Sequence, residues 1–186
     1  MDTGLADRAR VIAEARLSEL PRRWAHVQGV AATMKLLTAE SADRELQDAL
    51  VASAWLHDVG YADSLQQTGF HPVDGARFLR LTGWPELVVS LVAYHTGAVF
   101  EAAERSLSME LEQFSPPPTA ILDLLTCADM MTGPDGAPLD PAERIGEILS
   151  RYPAGSPVHR AVTRSAPDLL AAVARVKHQA ADCDTP

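Results

Sequence analysis

The chain has 186 residues, 47% of them hydrophobic, and a formal net charge of −9. That length suits one domain with a substantial core, and the composition is that of a folded chain. The acidic balance argues against a long nucleic-acid partner, which needs a basic stripe to neutralise phosphates.

A small phosphorylated substrate stays compatible with this charge, because one or two cations in a pocket reverse the local field. Ala, Leu, Glu and Arg dominate, and alternating β-branched runs are absent, so every element is expected to be helical. The longest apolar stretches carry charges every few residues, which leaves no membrane span. Asp2, Asp7, Arg8 and Arg10 interrupt the N-terminus, so it does not read as a signal peptide. Cys127 and Cys183 have no metal-type spacing, and reduced thiols in the cytoplasm are the expectation.

From about Leu5 to Leu20 the periodicity predicts an amphipathic helix burying Val11, Ile12, Ala15 and Leu17. Pro21 suits the first turn of a second helix through Leu37, whose apolar set is Trp24, Val27, Val30, Ala31, Met34 and Leu37. His26 falls at the edge of that stripe, either as an interfacial histidine with one hydrogen bond or as a ligand. Ser41, Ala42 and Asp43 can cap a third helix from Arg44 to about His57, in which Trp55 reads as packing. That helix ends in Ala54-Trp55-Leu56-His57-Asp58-Val59-Gly60-Tyr61, with Gly60 as a helix-stopping glycine. An imidazole and a carboxylate at the end of a buried helix are costly unless something compensates them, and a cation compensates both.

The loop from Tyr61 to Gly69 reads as polar and flexible, a place for a substrate contact. Pro72 suits the first turn of a fourth helix and puts His71 at its cap. Arg77, further along it, is expected to pair with Asp74 or to reach a substrate phosphate. Gly83-Trp84-Pro85 breaks the chain before a short apolar helix, Glu86 to His95, followed by Thr96-Gly97. His95 either satisfies the last carbonyls or shares a site with His71. Phe100 to Phe114 is acidic and reads as a solvated helix or mobile flap. Pro116-Pro117-Pro118 leads into a helix from Thr119 to Met131, with Asp129 on its last turn, where the helix dipole disfavours an anion. Two further helices, Pro141 to Arg151 and Ala166 to about Ala180, read as packing, and His159 and His178 as surface residues. No repeat, second domain or glycine-rich phosphate loop is seen. Residues 1–186 are expected to form a single all-α domain with its motif core at about 22–132 and C-terminal helices at about 141–180.

The ordered set His26, His57-Asp58, His71, His95 and Asp129 resembles the HD-domain superfamily of metal-dependent phosphohydrolases. The resemblance implies a helical bundle with a metal site in its core. It implies that His26, His57, Asp58 and Asp129 hold one divalent metal, and that His71 and His95 hold a second through a bridging Asp58. Two metals roughly 3.5–4 Å apart can bind phosphate oxygens and hold a hydroxide, so hydrolysis of a phosphate ester or anhydride is the expected chemistry, with His57 and Asp58 as the central catalytic pair. Iron, manganese or another transition metal suits these donors better than magnesium. Tyr61, Arg77 and Thr96 are expected to contact substrate. Related cyclic-dinucleotide phosphodiesterases have a Gly-Tyr-Pro signature and a Lys soon after the His-Asp pair; neither occurs here, which also removes an obvious phosphate-binding cation. Two other readings stay open: an HD-type di-iron oxygenase with the same six ligands, or a non-catalytic, metal-containing ligand-sensing module. The expected partner is a small phosphorylated molecule rather than a long nucleic acid or a membrane, with self-association into a homodimer left open.

Overall fold

The computed structural model describes residues 4–183, and side chains through residue 181; Asp2 and the Cys183 thiol lie outside the described residues. Among the described residues ten α-helices follow one another: α1 (Leu5–Leu17), α2 (Pro21–Leu37), α3 (Arg44–Leu56), α4 (His71–Leu81), α5 (Glu86–Tyr94), α6 (Ala98–Glu104), α7 (Ser108–Leu111), α8 (Thr119–Met130), α9 (Pro141–Arg151) and α10 (Pro157–Cys183). Two single 3₁₀ turns, Val59–Tyr61 and Asp63–Leu65, lie between α3 and α4. The described residues contain no strand, only one isolated bridge between Thr132 and Pro138. The fold is therefore all-α, as the periodicities predict. Among the described residues no helix is long and apolar enough to cross a membrane.

The centre of the core is α3, where every residue from Ala49 to Leu56 is buried. A helix apolar all round must be packed on all sides, and α1, α2, α5 and α8 surround it. Asp43 caps it by accepting from the Leu46 N–H at 2.9 Å, as expected. The α1 face differs from expectation. Ala9, Ala13 and Leu17 are buried, whereas Val11 and Ala15 are exposed and Ile12 is only partly covered. Small residues four apart let α1 lie close against α3, and size outweighed hydropathy in choosing the buried face. Its N-terminus is tied down by Asp48 of α3, which accepts from Leu5 N at 2.6 Å and Ala6 N at 3.0 Å.

Three other expectations are corrected. The Tyr61–Gly69 segment is built: buried Asp74 accepts from Thr68 N at 3.0 Å, Thr68 Oγ1 at 2.9 Å and Gly69 N at 3.1 Å. The acidic stretch after Phe100 is no solvated flap, because Ala102, Leu111 and Phe114 are buried in the core. Its carboxylates are tethers: Glu104 accepts from Arg160 Nε at 2.6 Å and Arg164 Nη1 at 2.9 Å of α10. The last helix starts at Pro157, well before Ala166, with Pro167 inside it. Burial of Ala161, Leu169, Ala172, Val173 and Val176 holds the helix continuous across that proline.

Candidate metal centre

Gly60 follows His57 and Asp58 for a reason other than stopping a helix. A Cβ on Gly60 would lie 2.0 Å from the His71 carbonyl oxygen and 2.7 Å from the Gly75 nitrogen. Only glycine lets the end of α3 meet the start of α4 so closely, and that approach brings His57, Asp58 and His71 together. A second close approach does the same for His26. Gly29 on α2 meets Gly136, where a Cβ would sit 2.3 Å from the carbonyl oxygen. The loop after α8 thereby reaches α2 and presents the Gly133 carbonyl to His26.

Three imidazoles are fixed in one way. The Nδ1 of His26 lies 3.0 Å from Gly133 O, that of His57 2.8 Å from Ala54 O, and that of His95 2.7 Å from Val92 O. A carbonyl only accepts, so each Nδ1 carries the proton and donates it, and each neutral ring presents its Nε2 lone pair. These lone pairs converge. His57 Nε2 is buried with no hydrogen-bond partner. His95 Nε2 faces His71 Nε2 at 3.1 Å, and His26 Nε2 faces Asp129 Oδ1 at 2.9 Å. Acceptors turned on one another in a buried space call for positive charge between them. His26 is 2% exposed, so it lies inside the packed face rather than at its edge.

Ligand atoms of His26, His57 and Asp58 lie within 4.8 Å of one another, and so do those of Asp58, His71 and His95. Asp58 belongs to both groups. Soft imidazole and hard carboxylate donors in two such trios fit transition-metal cations, and imidazoles held by backbone carbonyls are how such ligands are normally oriented. Asp129 stands at the margin, outside both trios, facing the His26 Nε2 and accepting from the Thr96 hydroxyl.

Electrostatics follows from burial. It pushes the His57 imidazole down to about 4, against the pull of Asp58 and Asp129, and drives His71 well below its ordinary range. Burial alone would raise the Asp58 carboxyl, but Arg23 first, then the histidines, hold it well below the usual carboxylate range. Burial likewise opposes ionisation of Asp129, yet the surrounding His26, His57 and Arg144 keep that carboxyl depressed. His57 and His71 are thus held neutral beside two ionised carboxylates, the protonation state a cation needs of its ligands.

The expected substrate contacts are placed unevenly. Tyr61 lines the cavity beside the histidines, but its ring is stacked on His71 at 4.0 Å and under the Arg23 guanidinium at 3.7 Å. Thr96 also lines it, in a left-handed conformation with φ 39° that carries its hydroxyl to Asp129. Arg77 is not part of the cavity wall. It pairs with Glu110, not with Asp74, whose oxygens are filled by Thr68 and Gly69. Sequence reasoning missed Arg23, whose Nη1 donates to Asp58 Oδ2 at 2.7 Å, and Arg144, buried beside Asp129 at 3.9 Å. Arg23 sits three residues before His26, so the i, i+3 spacing on one helix face was an available signal.

No significant match arises among curated proteins or among solved structures. The HD domain pattern matches residues 23–145, more than half of the chain, and that span holds all six proposed ligands. The chain therefore belongs to the HD-domain family.

Proposed function

We propose that this protein is a metal-dependent phosphohydrolase that cleaves a phosphate ester or anhydride of a small molecule at a two-metal site. The observation that carries the reading is the pair of ligand trios sharing Asp58, with the orphaned Nε2 of His57 buried between the other imidazoles. His26, His57 and Asp58 would hold one divalent cation, with Asp129 adjacent, and Asp58, His71 and His95 the other. Bound there, such cations supply Lewis-acid charge for phosphate oxygens and an acidified water.

The chain's own residues supply position and charge. Backbone carbonyls hold three imidazoles in the ligand tautomer. Arg23 keeps Asp58 ionised and aligned, and Thr96 donates to Asp129. Val158, Val162 and Leu169 close one wall with apolar surface, which limits water around the reacting phosphate. Iron or manganese is the metal these donors favour.

The test is a screen of purified protein, loaded with manganese or iron, against small phosphate esters and anhydrides. At least one should be hydrolysed, and His57→Ala and Asp58→Ala should each abolish the rate. Activity retained in both variants would sink the assignment, and oxygen consumption by the iron-loaded protein without phosphate release would move it to the oxygenase class.

A further inference from the structure

The cavity over the ligand cluster is also walled by α9, which contributes Arg144, Ile148 and Arg151. Arg144 is only 4% exposed and its Nε has no hydrogen-bond partner, whereas the Arg151 Nε lies against the Glu147 carboxylate. A buried guanidinium N–H without an acceptor is costly, so its persistence beside a cavity points to an acceptor that arrives from outside the chain. Glu147 sets the pair in place. Its Oε2 accepts from Arg144 Nη1 at 2.6 Å, and its Oε1 lies 2.8 Å from Arg151 Nε without making a hydrogen bond. Spacings of three and four residues put all three on one face of α9.

Charge says what the acceptor is. The charged side chains lining the cavity are Arg23, Arg144 and Arg151 against Asp58, Asp129 and Glu101, three of each sign. The charged partners of these lining residues, Glu147 against Arg144 and Arg105 against Glu101, cancel one another. One divalent cation in the trios therefore leaves a surplus of positive charge, and two leave more, so the occupant must be an anion. Size narrows it further. The cavity is about 80 Å³, roughly the volume of three waters. That is room for a small anion such as one phosphoryl group, and whatever it carries must run out through the open mouth of the cavity. A phosphodiester would have to lead two substituents out of this space, a monoester only one.

We infer that Arg144 and Arg151, oriented by Glu147, bind the phosphoryl group of a phosphomonoester opposite the metal ligands. This rests on the phosphohydrolase reading for the reaction, but the binding of the anion is separable from it. Planar guanidinium forks suit phosphate oxygens, and they replace the lysine absent after the His-Asp pair.

The experiment is calorimetric titration of the as-purified protein with orthophosphate, alongside elemental analysis and circular dichroism. Arg151→Gln and Arg144→Lys are compared with Arg164→Gln, which removes an arginine tied to Glu104 on another face. Wild type should bind orthophosphate. Arg151→Gln and Arg144→Lys should weaken it by about tenfold or more, the scale of one lost charge-assisted hydrogen bond. Their metal content and helicity should not change, and Arg164→Gln should bind as wild type does. The inference is overturned if wild type binds no orthophosphate, if Arg151→Gln binds it unchanged, or if both variants lose metal together with phosphate. Should Arg144→Lys lose helicity, Arg151→Gln at the more open rim decides alone. Phosphate binding that depends on these arginines in a protein that hydrolyses nothing would keep this inference and defeat the phosphohydrolase reading. Hydrolysis with orthophosphate affinity unaltered in both variants would do the reverse.

Discussion

Arg23 and Asp58 form a partly buried charge pair in the site, with Nη1 2.7 Å from Oδ2 and the guanidinium laid 3.7 Å over the Tyr61 ring. The pair does two things at once. It gives a buried carboxylate a permanent counter-charge, and it leaves the other oxygen, Oδ1, 3.3 Å from His71 Nε2 and free to serve the second trio. Arg23→Gln should therefore strand Asp58 in the metal-free protein, at about 3–5 kcal/mol of folding stability. Added manganese should return much of that loss, because a cation takes over the role of the guanidinium. Urea unfolding with and without metal measures both. An equal loss in the two conditions would mean that Arg23 acts through packing on Tyr61 alone.

The shared position of Asp58 makes the six ligands unequal. Asp58→Ala touches both trios and should lower bound metal most, whereas His71→Ala or His95→Ala should leave one cation largely in place. Elemental analysis of the three variants decides, and identical losses would contradict the sharing.

Gly60→Ala places a methyl group 2.0 Å from the His71 carbonyl oxygen, a backbone atom that cannot swing aside. The substitution should destabilise the fold by about 3 kcal/mol or more. It should also push α4 away and weaken the Asp58, His71 and His95 trio before the one containing His26. Thermal unfolding and metal stoichiometry together test this; a stable variant with full metal content would show that the contact can relax.

The contrast between what could and could not be read in advance follows from where each residue sits. His57, Asp58, His71 and His95 were legible because they fall at helix ends next to glycine or proline, where a polar residue after an apolar stripe stands out. The buried face of α1 was not, because alanine carries little hydropathy and its value lies in close approach to α3. Arg23 drew no reading from the sequence, since nothing local says that a helix N-terminus will be covered by the turn carrying Asp58 and Tyr61. Arg144 and Arg151 were hidden in an amphipathic helix read only for its apolar side. Arg77 misled for the opposite reason: its helix and spacing suited the site, but Glu110 arrives from a segment with no sequence relation to it.

The last prediction concerns acid. In the metal-free protein the folded His57 imidazole is held near 4 by burial, below its ordinary value of 6.5. A depressed histidine means that the unfolded chain binds the proton first. Its contribution to stability is therefore complete above pH 6.5 and is lost as pH falls toward 4, on the order of 3 kcal/mol over that window. Asp58 and Asp129 are also depressed, so they add a second loss in the same direction at lower pH, through the carboxylate range and below. Two acid steps should appear in denaturant midpoints measured from pH 8 to pH 3. His57→Gln cannot titrate, so the upper step should shrink and the lower one remain. Saturating metal should flatten the upper step in wild type until the pH at which protons displace the cation, since imidazole ligands must be unprotonated to bind. Circular dichroism and bound metal recorded on the same samples separate the two processes. If the upper step persists unchanged in His57→Gln, the buried neutral imidazole is not its source, and the orphaned Nε2 loses its place at the centre of the site.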